Sequence, residues 1–192
     1  MTRSGCSASM YISAIASKLP HKNVVGVLKA YKAYTELHSQ EEYPMFGLHI
    51  IGLDNVGVDR VIEEQHIEFT KEQRAKIVGY SYLPKDEDMY AVIKGSKVFL
   101  FLSLQEGFGF PPLEAMQLGV PVVCSDRTSL PEVVGDAALL ADPEDPQAVA
   151  KMLVTMEDPA VKEQYIKRGY ENTERFRWEE RIKCYQKELL ED

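Results

Sequence analysis

Six short apolar runs punctuate the chain without alternating: Met10 to Ala16, Leu48 to Leu53, Ile77 to Tyr80, Val98 to Leu102, Val120 to Cys124 and Ala138 to Leu140. Unbroken runs of this kind predict strands covered on both faces, as in a parallel sheet between two helical layers. Between them, apolar residues return at helical spacing. Val24, Val27, Leu28, Tyr31 and Tyr34 make one stripe after Asn23, a suitable N-cap, and Met89, Val92 and Ile93 share a face of a short helix over Asp88 to Lys94. Asp145-Pro146 and Asp158-Pro159 each place a capping carboxylate before a proline at the first helical position. They announce one helix carrying Val149, Met152, Leu153 and Met156 and another carrying Val161, Tyr165 and Ile166. A last helix is expected after Thr173, with Phe176, Trp178, Ile182, Tyr185 and Leu189 buried. The alternation specifies the α/β class, a doubly wound, Rossmann-like parallel sheet of about six strands.

Composition narrows this picture. A chain of 192 residues, 45% of them hydrophobic, can bury one substantial core. Residues 1–9 are small and polar and predict a flexible lead-in or linker, leaving residues 10–192 as a single domain. With 22 basic against 30 acidic side chains the net charge is −8, which opposes non-specific attraction to nucleic acid or anionic lipid. Cys6, Cys124 and Cys184 are odd in number and far apart, neither a disulfide framework nor a metal knuckle, and fit a reducing cytoplasm. No transmembrane segment or signal peptide is expected. The acidic run at 142–146, DPEDP, is most simply a solvated loop.

In a doubly wound sheet, ligands bind beyond the carboxyl ends of the strands. The strand KVFLFLS runs there into Leu104-Gln105-Glu106-Gly107-Phe108-Gly109-Phe110-Pro111-Pro112-Leu113-Glu114. Gly107 and Gly109 permit a tight turn and close approach of backbone to ligand. A helix starting at Pro111 and Pro112 presents its positive end to an anion such as a diphosphate. The prolines lack N–H groups, so the donors come from the glycine turn and from Leu113 or Glu114. Glu106 and Glu114 flank this cradle, and each can accept a pair of hydrogen bonds from vicinal hydroxyls. On these residues alone, a tight turn with a capping Glu106 and a surface Glu114 accounts for the loop equally well.

The paired glutamates, set within SLQEGFGFPPLEAMQLGVPVVCSDRTSLPEVVGDAALLADPED, resemble the signature of the group 1 retaining glycosyltransferases of GT-B architecture. The resemblance covers the chain from Met10 to the Trp178 helix. It implies the C-terminal, nucleotide-sugar-binding half of such an enzyme, which would transfer a hexosyl group to an acceptor hydroxyl with retention. Glu106 then corresponds to the glutamate that contacts the donor sugar, and Gly107, Phe108 and Gly109 to the turn whose amides meet sugar and diphosphate. Phe110 and Leu113 continue the donor-binding stretch, and Glu114 corresponds to the ribose-binding glutamate. Lys22, in Pro20-His21-Lys22-Asn23, resembles the family's phosphate-neutralising lysine and joins Glu106 as a catalytic candidate. Tyr82 and Leu83 resemble the segment lining the nucleobase pocket, although Ser81 replaces a usual glycine.

The pattern is incomplete in one respect. Ala16 stands where some members carry a second phosphate-binding arginine, and His21 stands where an arginine precedes the lysine, so Lys18 or a protonated His21 would have to compensate.

Neither cofactor nor metal is expected: Asp86-Glu87-Asp88 precedes a helix and suits its dipole, the four histidines lack ligand spacing, and His49 on an apolar strand fits a satisfied core residue. The implied substrate is a nucleotide-diphosphate sugar. The Lys22-Asn23 and Ser129-Leu130-Pro131-Glu132 segments favour GDP-mannose, with UDP-hexoses open. The implied partner is an N-terminal, acceptor-binding GT-B domain on the same or another chain, and peripheral contact with the inner membrane face would come through that half. A non-catalytic scaffold or regulatory partner of a complete glycosyltransferase is the alternative. An unrelated hydrolase is disfavoured because Ser103 and Ser125 lack a Gly-x-Ser-x-Gly elbow.

Overall fold

The structure, a computed structural model, describes residues 10–38, 45–81 and 83–176. Residues 1–9, 39–44, Tyr82 and residues 177–192, on which most of the expected last helix falls, lie outside them. In chain order the elements are β1 (Tyr11–Ile15), α1 (Val24–His38), β2 (Gly47–Ile51), α2 (Asn55–Glu64), α3 (Lys71–Ala75), β3 (Ile77–Tyr80) and α4 (Asp86–Lys94). There follow β4 (Val98–Phe101), α5 (Phe110–Gln117), β5 (Val122–Ser125), α6 (Leu130–Val134), β6 (Ala138–Ala141), α7 (Pro146–Thr155) and α8 (Pro159–Thr173). The six strands form one parallel sheet in the order β3-β2-β1-β4-β5-β6, the doubly wound arrangement that the alternating pattern specified.

Each strand feeds alternate side chains to opposite faces. Val98 and Leu100 of β4 join Ile12, Ala14, Leu48 and Ile50 under α1, α2 and α7, with Leu28, Tyr31, Val149 and Leu153 closing the layer. Phe99 and Phe101 point the other way, into a second cluster with Ile93 of α4, Leu113 and Met116 of α5 and Val133 of α6. Burial of each such side chain contributes roughly 1.5–3 kcal/mol. The chain therefore leaves β1 for one face of the sheet and leaves β4 for the other, opening a crevice between these neighbouring strands at their carboxyl ends.

Several boundaries differ from the sequence expectation for identifiable reasons. The fifth strand starts at Val122 rather than Val120, because Pro121 has no N–H for the ladder and contributes only its carbonyl, which accepts from the Phe99 amide at 2.9 Å. The second ends at Ile51, ahead of Gly52 with φ 109°. Helix α4 begins two residues early, at Asp86, so Asp86, Glu87 and Asp88 occupy its first turn. Three helices, α2, α3 and α6, were not anticipated, although Val58, Val61 and Ile62 make an apolar stripe on α2 and Thr70 and Gln73 form a complete capping box at α3. Beyond Thr173, residues Glu174–Phe176 form a 3-10 turn. His49 is half-buried, stacked on Tyr11 at 3.8 Å between ring centroids and within 3.2 Å of the Tyr80 hydroxyl, and desolvation lowers its pKa.

The 142–146 segment is more than a solvated loop. Asp142 and Glu144 accept from the Arg127 guanidinium at 2.7 and 3.1 Å, and Asp145 caps α7.

Candidate functional site

The loops leaving β1 and β4 meet at the switch point of the sheet, where the strand order reverses. Lys22 ends a 3-10 turn, Pro20–Lys22, and its Nζ lies 2.7 Å from Oε1 of Glu106, 84 residues away in sequence. The ammonium also sits 5.7 Å from the centroid of the Phe101 ring. Two residues with separately assigned roles thus form one half-buried ion pair across the crevice.

A set of hydrogen bonds beneath that pair fixes the two loops to each other. The His21 carbonyl accepts from the Leu104 amide at 2.7 Å and from the Ser103 hydroxyl at 2.8 Å. Asn23 donates from Nδ2 to the carbonyls of Leu102 and Pro143, and its Oδ1 accepts from the Gly26 amide. Asn23 is therefore the N-cap of α1 that the sequence pointed to. It holds a left-handed backbone, φ 50° and ψ 46°, rather than the extended one usual for a cap. Asparagine tolerates that conformation better than most residues.

The glycine turn divides its labour. Gly109 has φ 104°, and a Cβ there would meet Leu130 Cδ2 at 2.5 Å, so the fold itself requires glycine. Gly107 has no positive φ, and a Cβ on it would meet nothing within 4 Å. The loop is pinned from behind: the Glu106 amide donates to Thr128 Oγ1, and Ser129 Oγ donates to the carbonyls of Glu106 and Phe108. Among the described residues, the amides of Gly107, Phe108, Gly109 and Phe110 have no partner, and they precede Pro111 and Pro112 at the start of α5. This is a row of free donors beside an ammonium, the chemistry that holds a phosphate.

The remaining predicted residues separate by environment. The Phe108 ring packs against Phe110 at 4.7 Å and edge-on to Phe176 at 5.7 Å, while Phe110 is 53% exposed. Leu113 is buried in the core and can offer a ligand only its backbone. Glu114, half-buried one turn into α5, accepts from the Tyr90 hydroxyl of α4 at 3.2 Å. Leu83 packs half-buried against the second cluster. Ala16 is buried at the end of β1, Lys18 is exposed and His21 is half-buried. Tyr90, Thr128 and Ser129 had no role in the sequence reading. The approach of the last two to the loop depends on Thr128 adopting φ 54°, a local geometry without a sequence signal.

Comparison with known proteins agrees with the fold. The family model described as "Glycosyl transferases group 1" matches residues 10–172. The O-antigen chain mannosyltransferase B of Escherichia coli is 38% identical over 170 residues, which are 88% of this chain and 42% of that protein. The chain thus spans less than half the length of this curated relative. Among solved structures, E. coli trehalose-6-phosphate bound with UDP-2-fluoro glucose superposes with a TM-score of 0.79 at 13% identity, over 95% of this chain and 44% of that one. A mutant S. aureus TarM in complex with fondaparinux, alpha-GlcNAc-glycerol and UDP gives 0.75 at 15% identity, over 97% of this chain and 36% of that one. At these identities the two structures establish the fold. Among the described residues no helix is long and apolar enough to cross a membrane.

Proposed function

Because this chain belongs to the group 1 glycosyltransferases, we propose that it binds a nucleotide-diphosphate sugar in the crevice between β1 and β4, for transfer of a hexosyl group to an acceptor hydroxyl with retention. The observation that carries the reading is the Lys22–Glu106 pair, an ammonium for the diphosphate and a carboxylate for the sugar held 2.7 Å apart at the switch point. Charge accumulating on the leaving diphosphate is met by Lys22 and by the amides of residues 107–110. Neutralisation by these groups calls on no metal ion. Glu106 accepts from sugar hydroxyls and Glu114 from the two ribose hydroxyls.

Mannose is the favoured sugar, since the relative that matches over 88% of the chain is named a mannosyltransferase. UDP in one structural neighbour and UDP-2-fluoro glucose in the other keep uridine open as the base. An acceptor-binding domain supplies the opposite wall of the cleft, on the same or a separate chain, as the greater length of the relative supports. Excluding water and aligning the acceptor both depend on that wall, so this chain by itself binds donor weakly and transfers slowly.

Isothermal titration with GDP-mannose, GDP-glucose, UDP-glucose and UDP-N-acetylglucosamine tests the proposal. One donor binding in the micromolar to millimolar range, with loss of binding in Lys22→Ala, is the expected result. No binding by any nucleotide sugar at millimolar concentration would overturn it in favour of a scaffold that keeps only the fold.

A further inference from the structure

Helices α4 and α5 lie side by side on the same face of the sheet, and one polar contact joins them near the crevice. The Tyr90 hydroxyl donates to Glu114 Oε1 at 3.2 Å, and among the described residues this is the hydrogen bond the Glu114 carboxylate makes. We propose that Tyr90 is a positioning residue, holding the Glu114 carboxylate in the rotamer that meets the vicinal hydroxyls of the donor's ribose. The inference rests on the ribose role given to Glu114 above.

Three features of the contact favour this role over incidental packing. A glutamate side chain has three rotatable bonds, and ordering a half-exposed one carries an entropic cost that a ligand would otherwise have to supply. Tyr90 does part of that ordering in advance, through Oε1, and leaves Oε2 with its full acceptor capacity. The donor is also neutral. No lysine or arginine pairs with Glu114 among the described residues, and the first turn of α4 contributes only Asp86, Glu87 and Asp88. The carboxylate is therefore steered without being neutralised, and its charge stays available to the sugar hydroxyls. That same charge raises the Tyr90 hydroxyl above the usual phenol range, so it remains a donor at neutral pH.

The test measures discrimination between ribose and deoxyribose. Affinities of the full-length protein for GDP and 2′-deoxy-GDP, and for UDP and 2′-deoxy-UDP, are compared in wild type, Tyr90→Phe and Glu114→Ala. The wild type is expected to prefer the ribonucleotide by about tenfold, the strength of a hydrogen bond to a charged group. Glu114→Ala should abolish the preference, and Tyr90→Phe should cut it by about threefold or more while leaving thermal unfolding unchanged. A purely structural Tyr90 would shift both nucleotides together and leave the ratio intact, which overturns the proposal. If Glu114→Ala itself leaves the ratio unchanged, or neither ribonucleotide binds, the ribose reading falls with it. If Glu114→Ala abolishes the preference and Tyr90→Phe does not change it, only the positioning role falls.

Discussion

Lys22 and Glu106 face each other across the gap between the first and fourth strands, Nζ to Oε1, at 2.7 Å. Under the proposed function, the lysine that would meet a diphosphate is already engaged with a carboxylate, whose charge opposes the incoming phosphate.

The first prediction follows from this competition. For a bare nucleoside diphosphate, which offers Glu106 no sugar hydroxyls, Glu106→Gln should tighten binding by about three- to tenfold, because a half-buried ion pair and a repulsion disappear together. For the matching nucleotide sugar the same substitution should weaken binding, and Lys22→Ala should weaken both. Titrations of GDP against GDP-mannose, or UDP against a UDP-hexose, give the comparison. Equal effects of Glu106→Gln on both ligands would remove Glu106 from the sugar.

Asn23 tests the frame beneath the pair. Alanine there forfeits two donated hydrogen bonds and the cap, and must also adopt a left-handed backbone at φ 50°. Asn23→Ala should cost about 2–3 kcal/mol and Asn23→Gly about 1 kcal/mol less, since glycine keeps the conformation without strain. Chemical denaturation of the two variants measures the difference, and an alanine variant at least as stable as the glycine one would contradict the strain argument.

The two loop glycines should behave oppositely. Gly109→Ala combines a φ of 104° with a 2.5 Å approach to Leu130 and should destabilise by roughly 2–3 kcal/mol. Gly107→Ala meets nothing and should unfold within about 0.5 kcal/mol of wild type. Its new methyl group nonetheless projects where a ligand would approach the backbone, so nucleotide-sugar affinity should fall. Paired thermal-unfolding and titration curves separate the two kinds of glycine.

Burial pushes the Cys124 thiol up from 9.0 to about 12, and also raises the hydroxyls of Tyr31 and Tyr34. For an acid whose folded pKa is raised, the stabilising contribution is complete below the unfolded value and disappears as pH climbs through the folded one. Stability should therefore decline between about pH 9 and 12. Cys124→Ala should shallow that decline without removing the tyrosine share, as denaturation midpoints across the alkaline range would record. Alkylation at pH 8 followed by peptide mapping should leave Cys124 unmodified until the protein unfolds.

The sheet was legible because six predominantly apolar runs did not alternate with polar residues, Ser13 and His49 being isolated exceptions, so both faces had to be covered. The helices that escaped notice, Asn55–Glu64, Lys71–Ala75 and Leu130–Val134, are short; Asp54 and Thr70 cap the first two, and the third has no side-chain cap. For the site, family resemblance to the Glu106–Glu114 motif and to the Lys22 segment supplied the residue roles. Contacts between distant segments could not be read in this way. Nothing in the spacing of Tyr90 and Glu114 says that they touch, nor does the sequence reveal that Thr128 and Ser129 brace the loop after the fourth strand. Gly107 and Gly109 looked equivalent until their dihedrals and surroundings distinguished them.

The place of β1 in the middle of the sheet also bears on how the molecule is made. It pairs with β4 through Ile12, Ser13 and Ala14, and the Lys22–Glu106 contact spans 84 residues. At ribosomal rates of about 5–20 residues per second, roughly 4 to 17 s pass between synthesis of the two partners. During that interval the earlier strand keeps one hydrogen-bonding edge open, and that edge is where a nascent chain of this kind is most exposed to mispairing and most in need of a chaperone.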